Sequence, residues 1–226
     1  MQQDPEAKDR QRVIAIDGPA ASGKSSVARE LARRLGFDYV NSGAMYRAIT
    51  WNILQHGVAP EDAHRVAQLA EAAHIVCGLQ NDEARIVIND VDPTAHLCDD
   101  EVNQSVSLVS SVPRVRKVIV EKLRSYVRDN DVVMEGRDIG SIVFPDTPYK
   151  FYIDASPAVR SQRRAAQGLR DEIASRDRAD SSRSASPLVV ARDAEVIDSS
   201  NISIERVVNE IIARLKPKGL TTGSSS

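Results

Sequence analysis

Residues 13–25 read Val13-Ile14-Ala15-Ile16-Asp17-Gly18-Pro19-Ala20-Ala21-Ser22-Gly23-Lys24-Ser25. The opening apolar run, mostly β-branched, predicts a strand buried on both faces. Gly18, Gly23, Lys24 and Ser25 then fit the pattern G-x-x-x-x-G-K-[ST], and Ser26 to Leu35 continues with helical periodicity. Glycines in such a loop let successive backbone N–H groups point inward and form an anion nest. The helix that follows adds the positive end of its dipole. Lys24 is expected to reach β- and γ-phosphates as a point charge, and the Ser25 hydroxyl to join the shell of a Mg²⁺ ion. A Gly-rich loop can match this pattern by chance, but the strand before it and the helix after it favour a phosphate cradle. The stretch therefore implies nucleoside triphosphate binding.

Working outward, 226 residues suffice for a sizeable core in one domain, with room for an insertion. The formal net charge of −2 supplies no global basic field toward nucleic acid or a membrane surface, so any basic site must be local. Aromatic residues at 4% offer few rings on which bases could stack. Cys77 and Cys98 lack C-x-x-C spacing and read as plain thiols rather than a metal site or disulfide framework. The polar N-terminus carries no signal-like apolar run, and no stretch approaches the ~20 apolar residues of a membrane span. The expectation is a cytoplasmic protein with neither membrane nor nucleic-acid partner.

Residues 1–11 read as a flexible arm, 12–215 as one folded domain and 216–226 as a disordered tail. Gly36 stops the first helix, and Phe37 to Val40 predicts a second strand. A helix opens at Ser42-Gly43-Ala44-Met45-Tyr46-Arg47, and Pro60 suits the first turn of the next. Residues 74–91 change character: two apolar alternations flank Gln80-Asn81-Asp82-Glu83, which predicts an antiparallel hairpin. A hairpin is foreign to a βαβ alternation, so about 61–100 reads as an insertion. Helices at about 100–110 and 113–129 precede buried strands ending at Gly136-Arg137-Asp138 and at Asp154. A last strand at 194–198 and a helix at 203–215 follow. The alternation implies an α/β fold, a parallel sheet flanked by helices, with ligands beyond the carboxyl ends of the strands.

Arginines supply the second signal. Arg160, Arg163 and Arg164 fall at i, i+3 and i+4, and Arg176, Asp180 and Arg183 at i, i+4 and i+7, each set on one helical face. Arg47, Arg116 and Arg137 sit singly near strand ends or helix starts. Phosphoryl transfer is served by positioned cations, and arginine's planar fork grips phosphate oxygens bidentately. The stretch 165–186 is poor in large apolar residues and cannot be held by burial, so about 160–186 reads as a lid that keeps water from the transferring group. A plain flexible loop is the alternative there. Asp17 and Asp138 end strands at the rim, where each could orient Mg²⁺-bound water or a substrate group, or cap a turn. Arg137 is the adjacent candidate partner for Asp138. His56, His64, His74 and His96 show no ligand spacing and receive no role.

In this order the residues resemble bacterial cytidylate kinases, a family of nucleoside monophosphate kinases, over about Val13 to Leu215. The specific segments are Ser42-Gly43-Ala44-Met45-Tyr46-Arg47, Ser111-Val112-Pro113-Arg114-Val115-Arg116 and Glu135-Gly136-Arg137-Asp138-Ile139-Gly140. Val143-Phe144-Pro145-Asp146, Arg176-Asp177 with Asp180 and Arg183, and Ser186-Pro187-Leu188 complete the pattern. The resemblance implies a P-loop NTPase-type sheet with a small antiparallel β insertion and a lid. It implies transfer of the ATP γ-phosphate to CMP or dCMP, with Mg²⁺. ATP would meet Gly18, Pro19, Ala20, Ala21, Ser22, Gly23, Lys24, Ser25 and additionally Ser26, with Ser25 toward the metal. Ser107, Arg116 and Asp138 would read cytosine; Asp180, helped by Arg176, would take the ribose hydroxyls. Arg47, Arg137 and Arg183 would hold the acceptor phosphate near Ser42, while Arg160, Arg163 and Arg164 close over the transferring group beside Lys24. In one respect the chain departs from the family: only eleven residues separate Arg164 from Arg176, a lid of reduced reach.

Two other readings compete. One is a P-loop kinase for a different small acceptor, such as another nucleotide or shikimate; the hairpin and the Ser107, Arg116 and Asp138 set argue against it. The other is a non-catalytic ATP-binding module. A GTP switch is excluded by the lack of an N-K-x-D motif. Monomer is the default state.

Overall fold

In the computed structural model, residues 11–80, 83–166 and 188–220 are described. The apolar run at Val13–Asp17 forms β1, buried at every position. After the loop, α1 (Lys24–Leu35) turns Val27, Ala28, Leu31 and Ala32 inward and ends at Gly36 in the left-handed conformation. Strand β2 (Asp38–Asn41) passes directly into α2 (Ser42–Gln55). Helix α3 (Ala63–Ala72) is followed by β3 (Ile75–Gln80) and β4 (Glu83–Ile88). Helices α4 (Asp100–Ser111) and α5 (Pro113–Tyr126) lead to β5 (Val132–Gly136). The rest comprises β6 (Tyr149–Asp154), α6 (Pro157–Ala166), β7 (Glu195–Asp198) and α7 (Ile204–Leu215).

The sheet order is β3-β4-β2-β5-β1-β6-β7, and β2 through β7 in that row run parallel. Alternate residues feed two cores, as the period of two along a strand requires. Val13, Ala15, Val132 and Met134 face one core with α2 to α5, while Ile14, Ile16, Val133, Phe151 and Ile153 face the other with α1 and α7. The α/β architecture expected from the sequence is therefore present.

The predicted hairpin forms, with antiparallel β3 and β4 in register from Ile75↔Ile88 outward. It also joins the sheet edge through one parallel pair, Tyr39↔Glu83. The helix expected to start at Pro60 starts instead at Ala63, because the Asp62 carboxylate accepts from Arg65 N–H and caps it there.

The disordered tail expected from residue 216 needs correction over its first part. Lys216–Lys218 makes a 3₁₀ turn, Gly219 takes a left-handed conformation, and Leu220 is buried in the second core. Lys218 Nζ donates to the Pro148 carbonyl and pairs with Glu195, so an apolar anchor and two polar ties hold a segment whose composition looked free. Residues 221–226, the arm at 1–10 and lid residues 167–186 lie outside the described part, and with them Arg176, Asp180 and Arg183.

Candidate active site

The site lies at the carboxyl ends of β1, β2 and β5, the rim predicted from strand alternation. The phosphate loop bends through positive φ at Ala21 (59°) and Gly23 (89°), then α1 begins at Lys24. Gly18 has a separate reason for lacking a side chain: a Cβ there would lie 2.1 Å from the Ile153 carbonyl oxygen. Lys24 is buried and donates to the Pro19 carbonyl at 3.0 Å, folding over the loop.

One cavity of about 390 Å³ runs from this loop across the rim. Its lining includes Ala20, Ala21, Gly23, Lys24, Ser25 and Ser26 on the donor side, and Ser42, Arg47, Ser107, Arg116, Arg137 and Asp138 on the other. Arg164 lines it as well. Gly18, Pro19 and Ser22 belong to the loop but not to the cavity wall; the Ser22 hydroxyl is buried with no partner among the described residues.

Arg160 and Arg163 take different places from Arg164. Arg160 donates to the carbonyls of Ala155 and, at 3.4 Å, Ala20. Arg163 donates to the Ser22 carbonyl at 3.1 Å and to Ser199, whose own hydroxyl also donates to Ser22 O. These two arginines brace the back of the phosphate loop. Three residues on one helical face thus divide their work, because the loop packs against only the inner part of that face.

On the acceptor side, Arg116 pairs with Asp138, each side chain only 6% exposed. The Arg116 guanidinium also lies 5.3 Å from the Tyr46 ring centre and reaches the Ser110 carbonyl. The adjacent Arg137 is not the partner of Asp138. It donates to the Gly18 carbonyl at 3.2 Å. Arg47 donates to Asn103 Oδ1, and Asn103 in turn donates to the Cys98 carbonyl. Asp17 caps a turn, the last of the uses open to it: its two oxygens accept from Ile139 and Gly140 N–H, each at 2.8 Å. Burial pushes its carboxyl up to about 6 despite those bonds.

Several residues of the cavity wall escaped the sequence reading. Asn41 caps α2 by accepting from Ala44 N–H, a signal that an Asn just before a helix does carry. Glu135 is buried at the end of β5, accepts from the Tyr39 hydroxyl and lines the cavity. The Ser42 hydroxyl donates to its carbonyl at 2.8 Å, and Gly136 permits the approach: a Cβ there would lie 2.5 Å from Ser42 Oγ.

The cavity wall is compatible with a divalent ion held mainly by phosphate and water. Ser25 presents one hydroxyl to the cavity, and no group of three His, Cys, Asp or Glu side chains could hold a metal among the described residues. An ion that keeps most of its water and takes phosphate oxygens needs little more.

Among the described residues, Lys24, Arg47, Arg137 and Arg164 line the cavity together with the Arg116–Asp138 pair and the carboxylate of Glu135. A phosphate loop that shares one arginine-lined cavity with a buried Arg–Asp pair is the arrangement of a P-loop kinase. The family described as cytidylate kinase matches residues 14–217. The chain belongs to that family. It is 43% identical over 216 residues to the cytidylate kinase of Pelotomaculum thermopropionicum, covering 89% of this chain and 95% of that protein. Against the cytidylate kinase of Caldanaerobacter subterraneus subsp. tengcongensis, identity is 37%, covering 90% and 94%. A bifunctional pantoate ligase/cytidylate kinase of Nostoc sp. is 39% identical over 91% of this chain but only 41% of its own length. No helix among the described residues is long and apolar enough to cross a membrane.

Proposed function

We propose that this chain transfers the γ-phosphoryl group of ATP to CMP or dCMP, releasing ADP and CDP or dCDP. One observation carries the reading: a single cavity joins the phosphate loop to the Arg116–Asp138 pair in a chain of the cytidylate kinase family. Cytosine presents an amino group at C4 and acceptors at N3 and O2. Asp138 is an acceptor for the first, and Arg116 and Ser107 are donors for the others. Uracil would turn a carbonyl toward the Asp138 carboxylate, and a site built for one hydrogen-bond pattern rejects its inverse strongly.

Arg47 and Arg137 hold the acceptor phosphate near Ser42, and Lys24 with the loop N–H groups holds the donor phosphates. Arg164 faces the gap between them. Arg160 and Arg163 act through the loop, keeping its carbonyls turned away so that its N–H groups face the anion. Arg183 at the phosphate, and Arg176 and Asp180 at the sugar, complete the proposed acceptor set. When bound through Ser25, Mg²⁺ supplies charge neutralisation at the β- and γ-oxygens. No general base is required, because the attacking acceptor oxygen is already anionic; positioning and charge stabilisation carry the rate.

ADP release measured with Mg²⁺ and a panel of CMP, dCMP, UMP, AMP and shikimate tests this. Strong turnover with CMP and dCMP, weak with UMP and none with the rest is the expected result. Turnover led by AMP or shikimate would replace the substrate assignment, and none with any acceptor would favour an ATP-binding module. The enzyme is taken to act as a monomer on small nucleotides, which sedimentation under assay conditions checks.

A further inference from the structure

Asp17 is buried at the end of β1, is absent from the cavity wall, and yet stands one residue before the phosphate loop. Its two oxygens accept from the amides of Ile139 and Gly140, the two residues that follow Asp138. Those amides open the π-helical turn Ile139–Val143, whose Ile142 and Val143 N–H groups return to the Asp138 carbonyl. The backbone that carries Asp138 is thus bonded from both sides: by its own turn, and by β1.

A parallel strut runs from Arg137 to the Gly18 carbonyl. Gly140 also makes room for the Lys150 side chain beside the turn, since a Cβ there would lie 3.1 Å from Lys150 Cγ. Holding a carboxylate in this dry place costs desolvation, which the Ile139 and Gly140 amides offset; an apolar residue would leave both of those donors unpaired. Desolvation raises the Asp17 pKa to about 6, opposed by the two amides and by Lys24, with Asp138 adding to the rise. The group is kept there although packing alone would not ask for it.

We infer that Asp17 is a positioning residue that sets the acceptor-reading segment Arg137–Asp138 at a fixed place relative to the donor phosphate loop. The inference rests on the proposed reading of the cavity as a CMP and ATP site. Asp138 and Arg137 meet the acceptor only if their segment stands at the right place beside the loop, so a strut between the two half-sites acts on how CMP is held.

The test is steady-state kinetics at neutral pH with CMP and ATP varied separately. Asp17→Asn is isosteric but accepts at one oxygen only, and its amide NH₂ opposes the second backbone N–H. The KM for CMP should rise about tenfold, the effect of one buried donor left unpaired, while the KM for ATP stays within about twofold. Asp17→Ser keeps one acceptor without the opposing NH₂ and should give the same split; it decides the matter should Asp17→Asn fail to fold. Equal changes in both KM values, or none, would overturn the inference and reduce Asp17 to a structural group. CMP turnover by the wild type in the same assay reports separately on the substrate reading, and its absence would overturn both.

Discussion

Arg116 and Asp138 are each 6% exposed, so neither charge can turn to water when the other is removed. Asp138→Asn should lower stability in urea by about 3 kcal/mol or more, and reduce kcat/KM for CMP by about 10²-fold or more. Replacing both, Arg116→Met with Asp138→Leu, should recover much of the stability and none of the activity, because a buried pair is costly to break and cheap to replace. Asp17 gives a pH signature. Its folded value of about 6 stands above the ordinary 3.8, so between them the folded protein holds a proton that the unfolded chain has released. The stability it contributes is full below about pH 4 and lost as pH rises through about 6. Relative to Asp17→Asn, the wild type should therefore gain roughly 3 kcal/mol between pH 7 and pH 4, read from urea unfolding of both at each pH. Residue types and spacings announced Asp138 and Arg116 as site residues through the resemblance. Their pairing, and the amides that hold Asp17, could not be read locally: Ile139 lies 122 positions from Asp17.

At the scale of elements, the strand-loop-helix unit was the most legible part, because its glycines, lysine and helical periodicity are all local. Gly18→Ala would drive a Cβ to 2.1 Å from the Ile153 carbonyl, so either the loop or β6 must move. The KM for ATP should rise by about 10²-fold, and the thermal shift on adding ATP should vanish. Gly36 closes α1 at a φ of 67° with open space around it, so Gly36→Ala should cost only about 1 kcal/mol and leave the kinetics intact. The π-helical turn Ile139–Val143 had no sequence signal of its own. Its geometry answers to acceptors on β1, not to propensity. Helix α6 shows the same division: periodicity put Arg160, Arg163 and Arg164 on one face, but Ser199 and the loop carbonyls decided which of them reaches the cavity.

For the whole molecule, two cores on opposite faces of one sheet hold the rim still. Leu220 belongs to the second of them. Leu220→Ala should therefore cost about 2 kcal/mol or more in a denaturant titration, with kcat and both KM values unchanged, because the residue is far from the cavity wall. The sequence by itself determined the phosphate loop, the buried strands, the hairpin and the family, since each is written in short-range spacing or in apolar periodicity. Only the tertiary structure decided that Asp138 pairs with Arg116 and not Arg137, that Arg160 and Arg163 brace the loop, and that Asp17 ties β1 to the acceptor segment. Those choices depend on strand register and helix packing between residues far apart in the chain. A neighbour in sequence carries no information about them until the sheet has formed.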